Sequence, residues 1–361
     1  MLNFTVGPVQ IQEDILELGK EQVPYFRTDE FSALMKENEK IILSLFDAPE
    51  NSRSIFMTGS GTSSMEAGVM NFFTAKDKVL VVNGGSFGER LTELCEIHEI
   101  PYTQIKLQSG KPLTEEILGS YENKGYTGFL VQLCETSTGV RYDMNMIGDF
   151  CRRNNMFLFV DAVSGFLADE ISMEKMNINA AITGSQKALA LPPGLSVICM
   201  DEKAVERCNT NKVHSLYFNL ASYLKNGERG QTPFTPAVSI LIQLNSRLKE
   251  LAKDNGKAEH AKIAERASYF RNIIKELPFT VFTDSSALSN CVTALKVNDE
   301  KVSAHRLFEV VKDEYKIWIC PNGGELKDKV FRVGHIGNLS LSDYDSLAKA
   351  LKKALAKLEE N

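Results

Sequence analysis

The sequence is poor in the features that mark several large classes of protein. No apolar run approaches the roughly 20 residues that span a bilayer. The 41 Lys and Arg residues are outnumbered by 47 Asp and Glu, and no basic block stands out. Nucleic acid and anionic membrane are therefore not expected as partners. The first eight residues, Met1-Leu2-Asn3-Phe4-Thr5-Val6-Gly7-Pro8, lack the basic leader and apolar stretch of a signal peptide, so a cytoplasmic location is expected. The seven cysteines (Cys95, Cys134, Cys151, Cys199, Cys208, Cys291, Cys320) are odd in number and contain no C-x-x-C pair. That argues against a disulfide framework and a zinc site, and for a reducing compartment. The five histidines are dispersed, without metal-ligand spacing. There is no internal repeat and no low-complexity segment.

What is present is ordinary globular material. Of 361 residues, 43% are hydrophobic, enough for a sizeable core in two domains. From about residue 40 to residue 200, short apolar runs alternate with helical patterns. The predicted strands are Ser54–Met57, Lys78–Val82, Tyr102–Ile105, Gly128–Gln132, Phe157–Val160, Ala181–Thr183 and Ser196–Met200. Amphipathic stretches such as Ser86–Ile97 and Met146–Asn154 lie between them. This alternation predicts an α/β fold: βαβ units, a mainly parallel sheet and helices on both faces. Beyond it, Ala237–Leu251 and Ala258–Leu277 read as one long helix with a polar break at Asp254-Asn255-Gly256. Strands at Asn290–Val297, Ile317–Ile319 and Val330–Val333, with helices at Ser303–Glu314 and Ser342–Leu358, suggest a second, α+β domain.

Two strand ends carry the chemistry. Val160-Asp161-Ala162-Val163-Ser164 puts an acid at the end of one apolar run, and Gly184-Ser185-Gln186-Lys187-Ala188 puts a lysine in a turn after another. In open α/β sheets, ligands bind at the carboxyl ends of the strands. An acid and an amine there match the needs of pyridoxal phosphate: a carboxylate for the pyridinium nitrogen and an amine for the aldehyde. An ordinary surface Asp and Lys is the competing reading. Thr58-Gly59-Ser60-Gly61-Thr62-Ser63-Ser64 follows the first strand and opens a helix. Small residues, free N–H groups and hydroxyls at a helix start can cradle a phosphate; a plain loop with a Ser/Thr N-cap is the alternative. It is not a Walker A loop, since no Gly-Lys-Ser/Thr follows.

From Gly7-Pro8 to about Asn338 the chain resembles the class V aminotransferases among the fold-type-I pyridoxal-phosphate enzymes. The motifs are Gly-Ser-Gly-Thr at 59–62, Gly-x-Phe-Gly-x-Arg at 85–90, Glu-Thr-Ser-Thr-Gly at 135–139, Val-Asp-Ala-Val-Ser at 160–164, Gly-Ser-Gln-Lys-Ala at 184–188 and Phe-Arg-Val-Gly-His-Ile-Gly at 331–337. Within that class it is similar to the alanine–glyoxylate, serine–pyruvate and 2-aminoethylphosphonate–pyruvate branch. The resemblance implies a large domain with a mainly parallel seven-stranded sheet over residues 15–250. It implies a smaller α+β domain from 251–361, joined by an N-terminal strap, 1–14.

The resemblance also implies a role for each site residue. Lys187 would bind the cofactor aldehyde and then move the substrate's proton, which needs an amine partly deprotonated by neighbouring positive charge and restricted solvation. Asp161 would keep the pyridine nitrogen protonated. Phe87 would stack on one ring face, with core packing as its alternative, and Val163 would press on the other. Thr136 would lie by the ring's 3′ oxygen. Ser60, Gly61, Thr62 and Gln186 would hold the phosphate, completed by Thr235, or second by Thr232, from a neighbouring subunit. That implies a homodimer with shared active sites. Apart from the resemblance, Gln231-Thr232-Pro233-Phe234-Thr235-Pro236 reads as a loop entering a helix. Arg332 would anchor the donor's carboxylate or phosphonate through its fork; pairing with a surface acid is its alternative. Gly7 would lie over the site, and Arg27 would be a second anion contact.

The expected activity is a ping-pong transaminase that takes an amino group from a small donor, 2-aminoethylphosphonate favoured, and passes it to pyruvate or glyoxylate. Serine or alanine as donor is the second reading. A cysteine desulfurase-type lyase would need a mobile nucleophilic cysteine, for which Cys320 is the candidate, and such enzymes usually carry His at the Phe87 position. A non-catalytic protein of this fold would tend to lose Lys187.

Overall fold

All seven predicted strands form, and they form one sheet. The structure is a computed structural model that describes residues 1–359. After a short strand β1 (Leu2–Asn3), the sheet strands in chain order are β2 (Arg53–Thr58), β3 (Val79–Asn83), β4 (Tyr102–Lys106), β5 (Gly128–Gln132), β6 (Phe157–Asp161), β7 (Ala180–Gly184) and β8 (Leu195–Met200). Their spatial order is β2-β8-β7-β6-β5-β3-β4. Strand β8 runs against both its neighbours, β7 and β2, and the remaining pairings are parallel.

Strands of a sheet covered on both faces are apolar along their whole length, and side chains alternate between the faces. Leu158 and Val160 enter one apolar cluster while Phe157 and Phe159 enter another; Leu80 and Val82 divide from Val79 and Val81 in the same way. Asp161 is in phase with Phe157 and Phe159, so it points to the second face.

Helices cover both faces. Helix α1 (Asp29–Leu45) was not marked by the sequence pattern; Thr28 caps it by accepting from the Phe31 N–H at 3.2 Å. The second face carries α2 (Gly61–Phe72) and α3 (Ser86–Ile97). The first face carries α1, α4 (Met144–Arg153) and α5 (Val238–Ala252). Helix α4 starts two residues before the predicted Met146 because Asp143 accepts from the N–H groups of Asn145 and Met146. The predicted long helix does break at Asp254–Gly256, where Gly256 takes φ 74°, before α6 (Lys257–Ile273).

A third apolar cluster belongs to the C-terminal α+β part and includes Phe4 from the other end of the chain. Strands β9 (Phe279–Val281), β10 (Val292–Val297), β12 (Cys320–Pro321) and β13 (Val330–Gly334) form an antiparallel sheet in the order β9-β10-β13-β12. Between β10 and β12 lie α7 (Ala304–Tyr315) and β11 (Ile317–Trp318); α8 (Leu341–Glu359) is the last element among the described residues. Strand β11 pairs in parallel with β1, outside that sheet. Among the described residues, no helix is long and apolar enough to cross a membrane.

Candidate active site

The acid and the lysine meet because their strands are neighbours. Asp161, the last residue of β6, pairs with Ile182 of β7, and Lys187 follows β7 after a turn. Ser185 fixes that turn: its hydroxyl donates to the Pro192 carbonyl at 2.7 Å and accepts from the Leu195 N–H at 3.2 Å. Lys187 is 8% exposed and Asp161 6%. Burial pushes the Asp161 carboxyl up to about 6, with Glu135 adding to the rise. The Val163 N–H, at 2.9 Å, and the charges of Lys187 and Arg90 pull the other way. Burial holds the Lys187 amine below its ordinary range, and the Arg332 guanidinium adds to this; Cys291, Cys320 and Asp161 oppose it. A poorly solvated amine spends more of its time unprotonated, as a nucleophile or proton carrier must.

Helix α2 opens at the same edge. Ser60 stands at its N-cap in extended backbone, yet its hydroxyl caps no amide, so the plain N-cap reading is not what forms. Gly61 packs on Val163: a β-carbon there would stand 2.8 Å from Val163 Cγ2. The Thr62 hydroxyl accepts from Arg90 Nη1 at 3.1 Å. Half-buried Gln186 has a buried Oε1 with no partner among the described residues.

Phe87 lies half-buried in the first turn of α3, with the Arg90 guanidinium carbon 5.0 Å from its ring centre. Its placement depends on a residue to which the sequence reading gave no role. The fully buried Glu135 carboxylate accepts from the N–H groups of Phe87 (3.1 Å) and Gly88 (3.0 Å). It also accepts from the N–H (3.1 Å) and hydroxyl (2.5 Å) of Ser137. Burial pushes this carboxyl up and the hydrogen bonds hold it down. A β-carbon on Gly85 would stand 2.7 Å from Glu135 Cδ, so the approach requires glycine. The signal was in the sequence, since Glu135 and Arg90 both belong to the quoted motifs.

Thr136 is buried beside Ser164, hydroxyl to hydroxyl at 2.6 Å. Its carbonyl accepts from Arg332 Nη1 at 3.1 Å, and the Pro321 carbonyl accepts from Nη2 at 2.7 Å. Arg332 Nε is buried with no partner among the described residues. The surface-acid alternative does not form, because Arg332 is held by main-chain carbonyls. Gly7 lies against Lys187: a β-carbon there would stand 2.8 Å from Lys187 Cδ. Among the described residues, two candidates make no hydrogen bond to this group. Arg27 is exposed, with Nη1 at 3.4 Å from Gln231 Oε1 and its guanidinium over Phe26. Thr235 is exposed on a loop tied to the end of β2, where the Ala237 N–H donates to Thr58 Oγ1 at 3.0 Å. The Thr232 hydroxyl is turned inward to the Phe234 carbonyl at 2.6 Å.

The donor set fits pyridoxal phosphate. The Asp161 carboxylate has one hydrogen bond from the protein, leaving acceptor capacity for a pyridinium. The orphaned Arg332 Nε is a donor suited to a ligand anion, and the orphaned Gln186 Oε1 is an acceptor suited to a ligand donor. Among the described residues, no group of three or more His, Cys, Asp or Glu gathers as a metal ion would need.

Comparison with known proteins places the chain in a family. The family model described as "Aminotransferase class-V" matches residues 23–325. The chain is 29% identical over 358 residues to a protein named "Soluble hydrogenase, small subunit" from Synechococcus sp., covering 98% of this chain and 92% of that one. It is 31% identical over 340 residues to an uncharacterized aminotransferase of Methanocaldococcus jannaschii, covering 92% and 86%. It is 25% identical over 304 residues to a 2-aminoethylphosphonate–pyruvate transaminase of Phocaeicola vulgatus, covering 83% of each. Among solved structures it is similar to an aspartate aminotransferase of subgroup IV from Thermus thermophilus, with TM-score 0.90 and 26% identity, covering 99% of this chain and 100% of that one.

Proposed function

The chain belongs to the class V aminotransferases and is a pyridoxal-phosphate-dependent transaminase, and from that premise we propose that it takes its amino group from a small anionic amine, 2-aminoethylphosphonate first. Pyruvate or glyoxylate is the acceptor. The observation that carries the donor class is Arg332, a guanidinium fixed by two carbonyls and near enough to Lys187 to lower its pKa. The Cys-Glu-Thr-Ser-Thr-Gly run at 134–139 and the Phe-Thr-Pro segment at 234–236 support the phosphonate. Serine or alanine is the second reading, because one guanidinium binds either anion.

When bound, the cofactor supplies an electron-accepting ring that makes the C–H bond beside the donor's amine breakable. Lys187 would take that proton and would deliver a proton to the cofactor's aldehyde carbon across the nitrogen, so that the amino group passes to the cofactor. Asp161 holds the ring nitrogen's proton. Phe87 and Val163 would hold the ring between them, Thr136 would contact its 3′ oxygen, and Arg332 would orient the donor toward Lys187. Ser60, Gly61, Thr62 and Gln186 hold the phosphate. Gly7 gives the N-terminal strap its close approach, and Arg27 is a second anion contact.

Thr235 serves the partner's phosphate in a homodimer with shared sites; its exposure supports this. We divide the chain into a large domain, 15–250, and a small one, 251–361 with 1–14, and expect it in the cytoplasm. Cys320 is paired in strand register with Arg332 rather than carried on a separate loop, which favours transamination over sulfur release.

The test is a set of half-reactions. The holoenzyme is mixed with aminoethylphosphonate, alanine, serine or phosphoserine, and loss of the absorbance band of lysine-bound cofactor is followed. Conversion by aminoethylphosphonate is expected. Conversion by alanine or serine alone would overturn the donor, and sulfide release from cysteine would overturn the reaction class.

A further inference from the structure

The residues assigned to the phosphate, Ser60, Gly61, Thr62, Gln186 and Thr235, are all uncharged. A phosphate monoester carries close to two negative charges at neutral pH. A helix N-terminus offers only about half a positive charge. A cation is therefore missing from the cup as assigned, and Arg90 is held at its edge.

Arg90 touches more than one part of the cofactor seat. Its Nη1 donates to the Thr62 hydroxyl at 3.1 Å. Its guanidinium carbon lies 5.0 Å from the Phe87 ring centre. Its charge also reaches the Asp161 carboxylate. The Thr62 contact has a directional consequence. A threonine hydroxyl has one proton to give and two lone pairs to offer. With a lone pair engaged by the guanidinium, the proton is free to point away from Arg90, toward an anion at the start of α2. A hydroxyl polarised by a cation is also the stronger donor.

We propose that Arg90 is the charge partner of the cofactor's phosphate, acting through the Thr62 hydroxyl as a positioning residue. This rests on the cofactor site described above. It predicts a phosphate-specific defect. Without Arg90 the phosphate loses a compensating charge and an oriented donor, while the pyridine ring keeps Asp161 and Lys187.

The test compares pyridoxal phosphate with pyridoxal, which has the aldehyde and ring but no phosphate. Apoprotein of the full chain is titrated with each, following the absorbance of the lysine-bound aldehyde. Arg90→Gln is expected to weaken pyridoxal phosphate binding by roughly 10- to 100-fold, the range of one charge-assisted hydrogen bond. Pyridoxal affinity should fall several-fold less than that, the share due to Arg90's contact with Phe87 and its charge on Asp161. Thr62→Val should show the same selective loss, and the double variant should be little worse than either single one, because both act through one contact. Arg90→Lys should recover part of the loss.

Equal loss of both aldehydes in Arg90→Gln would reduce Arg90 to support of Phe87 and overturn the proposal. So would unchanged binding, or simple additivity in the double variant. Wild-type apoprotein that captures neither aldehyde would overturn the cofactor site itself; wild type that prefers the phosphorylated form beside an unaffected Arg90→Gln would overturn Arg90 alone.

Discussion

Gly7, ahead of the first strand of the large sheet, and Lys187, between β7 and β8, are in contact: a β-carbon on Gly7 would stand 2.8 Å from Cδ and 3.0 Å from Cε of the lysine. Gly7 also takes φ 128°, a conformation closed to ordinary side chains. The N-terminal strap thus packs against the lysine side chain, and the closeness of that approach depends on a missing side chain.

Gly7→Ala is accordingly expected to cut transaminase turnover at least about tenfold. The fold should persist, because the strap is anchored elsewhere, through the β1–β11 pairing and the buried Phe4. Circular dichroism together with the rate of the first half-reaction checks this. Full turnover in Gly7→Ala would show that the strap can retreat from Lys187.

Asp161 gives a prediction on stability. Its carboxyl rises from the ordinary 3.8 to about 6 on folding. A carboxyl so raised favours the folded state while protonated; that contribution is full below pH about 4 and lost as pH climbs through about 6. In the apoprotein the buried charge at neutral pH therefore costs about 3 kcal/mol. Asp161→Asn should stabilise the apoprotein at pH 8 by up to that amount and do little near pH 4. The same variant should lose most activity even with cofactor bound. Urea unfolding at the two pH values measures the first effect, and turnover the second.

Glu135 should be required for Phe87. Glu135→Ala strands two N–H groups at the start of α3 and two donors of Ser137 in a buried place. A loss of about 3 kcal/mol in unfolding free energy is expected. Glu135→Gln keeps the shape and removes the charge that raises Asp161, so the pH midpoint seen in the Asp161 comparison should move down. An unmoved midpoint would leave Glu135 a purely structural cap.

Arg332 lowers the pKa of the Lys187 amine and is proposed to anchor the substrate. Arg332→Lys keeps the charge but loses the fork, so the donor's KM should rise roughly 10- to 100-fold. Arg332→Gln also removes a charge that holds the Lys187 amine down. The pH at which apoprotein captures cofactor should then shift upward, which a capture-rate profile against pH reads directly.

Much of the sheet was legible because a strand buried on both faces must be apolar throughout, and that is a local property. The runs ending at Val160 and Thr183 needed no partner to be recognised as strands, and Asp161 and Lys187 stand out where those runs stop. Helix α1 and strand β9 were not so marked. The first is amphipathic beneath a polar surface, and the second is only three residues long. The sequence motifs also contained Glu135 and Arg90 without their tasks, since a carboxylate gives no local sign of which amides it will cap.

By itself, then, the sequence determined the order of strands and helices, the acid and lysine at two strand ends, and the family those motifs mark. Periodicity and short motifs are set by neighbours along the chain. Only the tertiary structure decided that Gly7 lies on Lys187, that Glu135 fixes Phe87, that Arg332 is held by the carbonyls of Thr136 and Pro321, and that Arg90 binds Thr62. These contacts join residues distant in sequence, and they exist only once pairing has brought neighbouring strand ends together and burial has raised the energy of any polar group left without a partner.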